Sequence, residues 1–255
     1  FGDGSVTDSK GWSATVGIYA LISVVCFVVT FFSVKERVQP PAGQKADIVK
    51  DFKEVLNNRP WLTMFGMTLF VFITLALRGN ANYVFVTRYL SSDGLLRFVE
   101  SLGLTATAAD LLNPSIGLRA LDLFGMVVKP GASPSVVGFS VLSMMGTFVT
   151  IIGVLLAKPL ADRFGKKTVF TVGLAGAALF QSLHFFVAPE DVNRVVILTI
   201  LTSLSYGPTI PLLWAMIADT ADYSEWKNHR RSTGFVFAGV VFALKAGLGF
   251  GGAIA

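Results

Sequence analysis

The chain has 255 residues, of which 53% are hydrophobic and 15% charged, with a formal net charge of +5 and a mean hydropathy of +0.65. A soluble domain carries about a quarter charged residues, so an ordinary soluble globular protein is excluded. The pattern is that of a polytopic all-α membrane protein, and the lysines and arginines speak of orientation rather than of nucleic acid.

Cys26 is the only cysteine, which rules out an intrachain disulfide and a thiolate metal cluster. Its place in an apolar run marks it as a small buried hydrophobe. The chain opens FGDGSVTDSKGW, with neither signal peptide nor initiating methionine, and closes GFGGAIA inside an apolar run, so a fragment cut at both ends is expected.

Ser13 to Phe32 is the first expected span, a run of about 20 uncharged residues that matches one crossing of a roughly 30 Å hydrocarbon core. The linker 33–60 follows. Pro40 and Pro41 break helix there, and Ile48, Phe52 and Val55 then recur at helical spacing among charges. That spacing fits an amphipathic helix on the membrane surface and a solvated linker helix equally well.

Trp61 to Val86 is the second span, with Trp61 as an interfacial anchor at its start. Arg78 lies about two-thirds of the way along it. Two readings stand: a polar face of Arg78, Asn82 and Tyr83 lining a cavity, or an Arg78 that snorkels to the outer interface. Residues 87–134 are too polar to span and too long for a turn, and read as an extramembrane insertion with some helix, capping the outer face.

Ser135 to Ala157 is the third span, Thr168 to Val187 the fourth and Val195 to Ala218 the fifth, with Gly207, Pro208 and Pro211 as kinks. The sixth begins at Gly234. Loops 33–60, 158–167 and 219–233 share one side and hold most of the lysines and arginines, which makes that side cytoplasmic; 87–134 and 188–194 share the other.

Lys245 sits in the middle of the sixth apolar run. The span end on the cytoplasmic side is about ten residues away, roughly 15 Å at 1.5 Å per residue, which is beyond easy snorkelling. A charge so placed needs a partner or a wet cavity. Ala243, Gly247 and Gly251 form a small-residue ridge suited to helix packing. Trp214 admits sugar stacking as well as interfacial anchoring. His184 and His229 stand apart from each other and from acids, so no metal site is expected.

The turn ADRFGKK after the third span combines an acid, an arginine, a glycine and two bases, a set suited to a charged latch between helix ends. It resembles the loop motif of the major facilitator superfamily, with Asp162, Arg163, Gly165, Lys166 and Lys167 matching, and departs where Lys158 replaces the first glycine. SVKERVQP, NNRPW and ADTADYSEWKNHRRSTGFVFAGVVFALKAG, in this order against these spans, resemble the glycoside-pentoside-hexuronide:cation symporters, the group of the melibiose carrier.

That resemblance covers most of the chain apart from the insertion. It implies a C-terminal-half fragment: residues 1–32 the last helix of the N-terminal half, 33–60 the cytoplasmic linker, and 61–255 helices seven to eleven of twelve, with a periplasmic insertion at 87–134. Asp219, Asp222 and Arg231 match the family's cytoplasmic gate. The two aspartates stand three positions apart, so they lie on one helix face and can share a basic partner. Lys245 matches a lysine beside the shared sugar and cation region, where Arg78, Asn82 and Trp214 are further cavity candidates. The implied function is cation-coupled symport of a sugar or glycoside by alternating access in the inner membrane.

The coupling cation, sodium, lithium or proton, would bind mainly in the other half, and no other cofactor is implied. The expected partners are the sugar, the bilayer and the N-terminal half. Relatives that carry lipids keep a second cargo class open. A membrane-embedded enzyme is disfavoured, because the spans offer Lys245, Arg78 and His184 but no acid to work with them.

Overall fold

The computed structural model describes residues 9–34, 48–107, 110, 115–123, 125–130, 133–228 and 233–255. Six helices among them are long and apolar enough to cross a membrane: Ser13–Ser33, Arg59–Tyr89, Pro134–Phe164, Lys166–Phe186, Val192–Lys227 and Thr233–Ile254. The chain divides into two compact units, Phe1–Lys45 and Ala46–Ala255.

In the first unit, α1 (Ser9–Ser33) is apolar on every side, with Tyr19, Phe27 and Phe31 exposed around it. A helix without a polar face belongs in hydrocarbon. Cys26 is exposed on it rather than buried, since α1 is the one helix of its unit among the described residues.

The second unit holds α2 (Ile48–Leu56), α3 (Arg59–Val84), α4 (Ser92–Ser101), α5 (Ile116–Leu123), α6 (Pro134–Phe164), α7 (Lys166–Leu183), α8 (Val192–Tyr206), α9 (Thr209–Asn228) and α10 (Thr233–Ile254). Val55 of α2 is buried against the bundle while Val49, Phe52 and Leu56 stay exposed.

α3 begins with Asn58 as its N-cap, whose side-chain oxygen accepts from the Trp61 N–H at 3.1 Å, and with Pro60 in the first turn, where a missing N–H costs little. Trp61 is a packing residue and not an interfacial anchor. It is 5% exposed, its indole N–H donates to the Val236 carbonyl at 3.1 Å, and its ring lies over Gly239 of α10. The ridge on α10 does what its composition predicts: Ala243, Gly247 and Gly251 are buried against α3. A Cβ on Gly247 would stand 2.6 Å from the Leu69 carbonyl oxygen, and one on Gly251 2.7 Å from that of Ile73.

The fifth span is two helices. α8 stops at Tyr206 and α9 starts at Thr209, so the kink predicted at Gly207 and Pro208 is a break, and Pro211 falls in the first turn of α9. Thr209 Oγ1 donates to the Tyr206 carbonyl at 2.6 Å, satisfying one acceptor freed by the break. α6 crosses close to it: a Cβ on Gly207 would stand 2.6 Å from the Thr150 carbonyl oxygen. α9 then continues to Asn228, so Asp219 and Asp222 are helical and the predicted loop 219–233 is shorter than expected.

The insertion is docked. α4, capped by Ser91, buries Leu95 and Val99 completely against α6 and α8, and the Ser91 N–H donates to the Pro189 carbonyl at 2.8 Å. An isolated parallel bridge joins Thr105 to Val128. Near it the Thr107 hydroxyl and N–H both donate to Asp110, holding that carboxyl below the usual carboxylate range. The loops predicted to share sides do meet: Asn58 and Lys166 approach α9 at one end of the bundle, while Ser91 and Pro189 meet at the other.

Candidate functional site

A run of apolar side chains makes α3 a membrane helix, and the 3.6-residue period sets Arg78 and Asn82 on one face of it. That face meets α7 and the end of α8. The Arg78 guanidinium carbon lies 4.8 Å from the centre of the Tyr206 ring, within range of a cation–π attraction. Gln181 of α7 donates through Nε2 to Asn82 Oδ1 at 2.9 Å.

Arg78, Gln181 and Tyr206 line a cavity of about 610 Å³ whose other walls are largely apolar, with Phe70, Leu75 and Leu174 among them. Asn82 faces a neighbouring cavity of about 550 Å³, together with Tyr89 and His184, and Gln181 lines both. The Gln181–Asn82 hydrogen bond therefore stands between the two spaces. Arg78 has no ion pair among the described residues, so its charge is met by the Tyr206 ring and by whatever occupies the cavity. Guanidinium, amide and phenol together offer several donors and two acceptor oxygens in apolar surroundings, a set suited to hydroxyl groups on a solute.

The other cavity candidates lie elsewhere. Lys245 is exposed near the middle of the 22-residue α10, on the face opposite the Ala243–Gly247–Gly251 ridge, and lines neither cavity. Trp214 is half-buried and packs against the core that holds Trp61, Phe170, Ile217 and Val240. Tyr83 packs edge-on against Phe139. Tyr206 and Gln181 were missed by sequence reasoning. Their signals were a glutamine inside an apolar run and a tyrosine just before the Gly-Pro break.

At the opposite end of α9 the structure joins two features that the sequence held apart. Gly165 separates α6 from α7 with φ +82° and ψ 144°, a conformation open to glycine, and Lys166 follows at once. Lys166 Nζ reaches both carboxylate oxygens of Asp219, at 2.8 and 2.7 Å. Arg163 lies 5.3 Å from the Phe164 ring centre, and Asp162 and Lys167 are exposed. Asp222 is exposed and has no ion pair among the described residues, so the aspartates do not share a partner there. Arg231 lies outside the described residues.

Comparison with known proteins gives this arrangement its family. The chain is 29% identical over 97% of its length to the inner membrane symporter YicJ of Escherichia coli K12. It is 26% identical over 98% to the putative glycoside/cation symporter YagG of the same organism, and 27% identical over its whole length to the isoprimeverose transporter of Lactiplantibacillus pentosus. It spans about 45% of the length of these relatives. No solved structure matches it. The resemblance to glycoside and cation symporters is thus borne out, and a family model described as MFS/sugar transport protein matches residues 2–113 and 134–255. With most of its length so matched, this multi-pass helical chain belongs to the MFS/sugar transport protein family.

Proposed function

We propose that the chain forms the C-terminal half of an inner-membrane symporter that couples a cation gradient to the uptake of a sugar or glycoside by alternating access. Residues 1–32 are the last helix of the preceding half, 33–60 the cytoplasmic linker, and the insertion at 87–134 lies on the periplasmic side. The observation that carries the reading is Arg78, set within a membrane span against Tyr206 and beside Gln181 on a cavity of about 610 Å³. A cation so placed is costly unless it serves a cavity or a partner, and it can donate to sugar hydroxyls. No covalent chemistry is involved.

Lys245, on the open face of α10, is the second cation of the transport path and faces residues of the other half, which also supplies most of the coupling-cation site. Asp219, Asp222 and Arg231, with Lys166 and the rest of the 162–167 turn, form the cytoplasmic gate. The test is gradient-driven sugar uptake by the whole protein in proteoliposomes. Arg78→Leu should lower uptake by roughly tenfold or more, since a hydrogen bond to a charged group contributes about 1.5–3 kcal/mol, while Arg78→Lys retains part of it. Undiminished uptake by Arg78→Leu removes this cavity from the transport path.

The apolar walls of the cavity favour a second reading, an amphipathic or lipid-like solute held by its polar end at Arg78. Competition separates the two: free sugars displace a bound sugar substrate, and a lipid cargo is displaced by lipid alone.

A further inference from the structure

Where α3 begins and α9 finishes, a polar cavity of about 530 Å³ is lined by Asn57, Asn58, Arg59, Tyr223, Ser224 and Lys227. Its volume falls in the range of small-molecule sites, about 300–1,000 Å³. Among the described residues two cations line it and no carboxylate does. Asn58 is buried and its amide is used inward, donating through Nδ2 to the Thr220 carbonyl at 3.0 Å and accepting from the Trp61 N–H, so it serves as wall. Neither Arg59 nor Lys227 has an ion pair among the described residues; the Lys227 ammonium lies 5.9 Å from the centre of the Tyr223 ring. The described lining of the cavity is therefore positive in balance.

Depth decides the ligand. Arg59 is the first residue of one membrane span, and Lys227 stands eight residues past Asp219 on a part of α9 that has left the hydrocarbon, which sets both on the water side of the boundary, at the depth of lipid headgroups. Trp226, 75% exposed and 6.0 Å from the Tyr223 ring centre, stands beside them as interfacial aromatics do. Phe52 and Leu56 of α2, the helix that leads into Asn57, are exposed too, an apolar surface adjoining a cationic recess. Acyl chains and a phosphate meet at this level of a bilayer, and arginine and lysine are the side chains that bind phosphate. We propose that this cavity binds the phosphate of an anionic membrane lipid such as phosphatidylglycerol.

The test uses the purified full-length protein, delipidated in neutral detergent and titrated with short-chain phosphatidylglycerol, with binding read by native mass spectrometry. Phosphatidylglycerol should bind in preference to phosphatidylcholine, and the double variant Arg59→Gln, Lys227→Gln should weaken its binding by about thirtyfold, two cations each acting near the surface. The control Arg97→Gln, Arg119→Gln removes two charges from the insertion and should leave binding intact. Circular dichroism of each variant confirms that it is folded. Equal affinity for the two lipids, or equal loss in control and test variants, overturns the proposal. Inorganic phosphate distinguishes the source: weak competition supports the lipid, and phosphate that binds as tightly as phosphatidylglycerol overturns it in favour of a soluble anion.

Discussion

Lys166 holds both carboxylate oxygens of Asp219, at 2.8 and 2.7 Å, and so ties the first turn of α7 to the helix that carries the acid pair. The turn motif and the first acid of the pair are joined in this chain. Both side chains are about half exposed, so the pair contributes little to stability, and its effect is to fix where α7 starts relative to α9.

Double-mutant cycles on this pair should therefore give a coupling of about 0.2–1 kcal/mol that fades with added salt. Lys166→Asp alone should destabilise more than Lys166→Ala, because it sets two carboxylates together. The reversed pair, Lys166→Asp with Asp219→Lys, should recover most of the loss in a thermal melt. A reversed pair no better than the worse single variant would show that the contact is incidental.

Gly165→Ala meets no neighbour, since nothing lies within 4 Å of the place its methyl group would take, yet φ +82° with ψ 144° is reached almost only by glycine. The expected cost is about 1–3 kcal/mol of backbone strain. A lower melting temperature should come with loss of the Lys166 coupling, because the strain is relieved by moving the start of α7.

Along the contact between α3 and α10, Gly247→Ala and Gly251→Ala each force a methyl group against a backbone carbonyl of α3, at 2.6 and 2.7 Å. Overpacking of this kind costs about 1–3 kcal/mol. Gly249→Ala, on the open side of the same helix, should be neutral or slightly stabilising. Yield and melting temperature in detergent report the difference, and three equal outcomes would contradict the packing described.

Trp61→Phe removes the indole donor and leaves the Val236 carbonyl without that partner, at an expected cost of about 1–3 kcal/mol. Were Trp61 an interfacial anchor, the substitution would be nearly silent in a melt.

The sequence showed the six spans because length and apolarity are what a bilayer selects. It was less informative where helices leave the hydrocarbon. α9 continues through Asp219 and Asp222 to Asn228, and hydropathy falls there although the backbone stays helical. The ridge on α10 was legible, since small residues four apart declare a close helix contact, and its position puts Lys245 on the opposite face. The meeting of Arg78 with Tyr206, and of Asn82 with Gln181, was not legible. These residues stand about a hundred positions apart or more, and each alone reads as a polar interruption in an apolar run.

The break between α8 and α9 gives the fifth span a joint, and Tyr206 is the last residue before it. The helix that leads away from the joint carries Asp219, held by Lys166, at its middle, and the residue before the joint carries the aromatic ring over Arg78. One broken span thus sets the place of both the ring over the cavity cation and the ion-paired acid, and the backbone at Gly207 and Pro208 fixes the angle between the two segments that carry them.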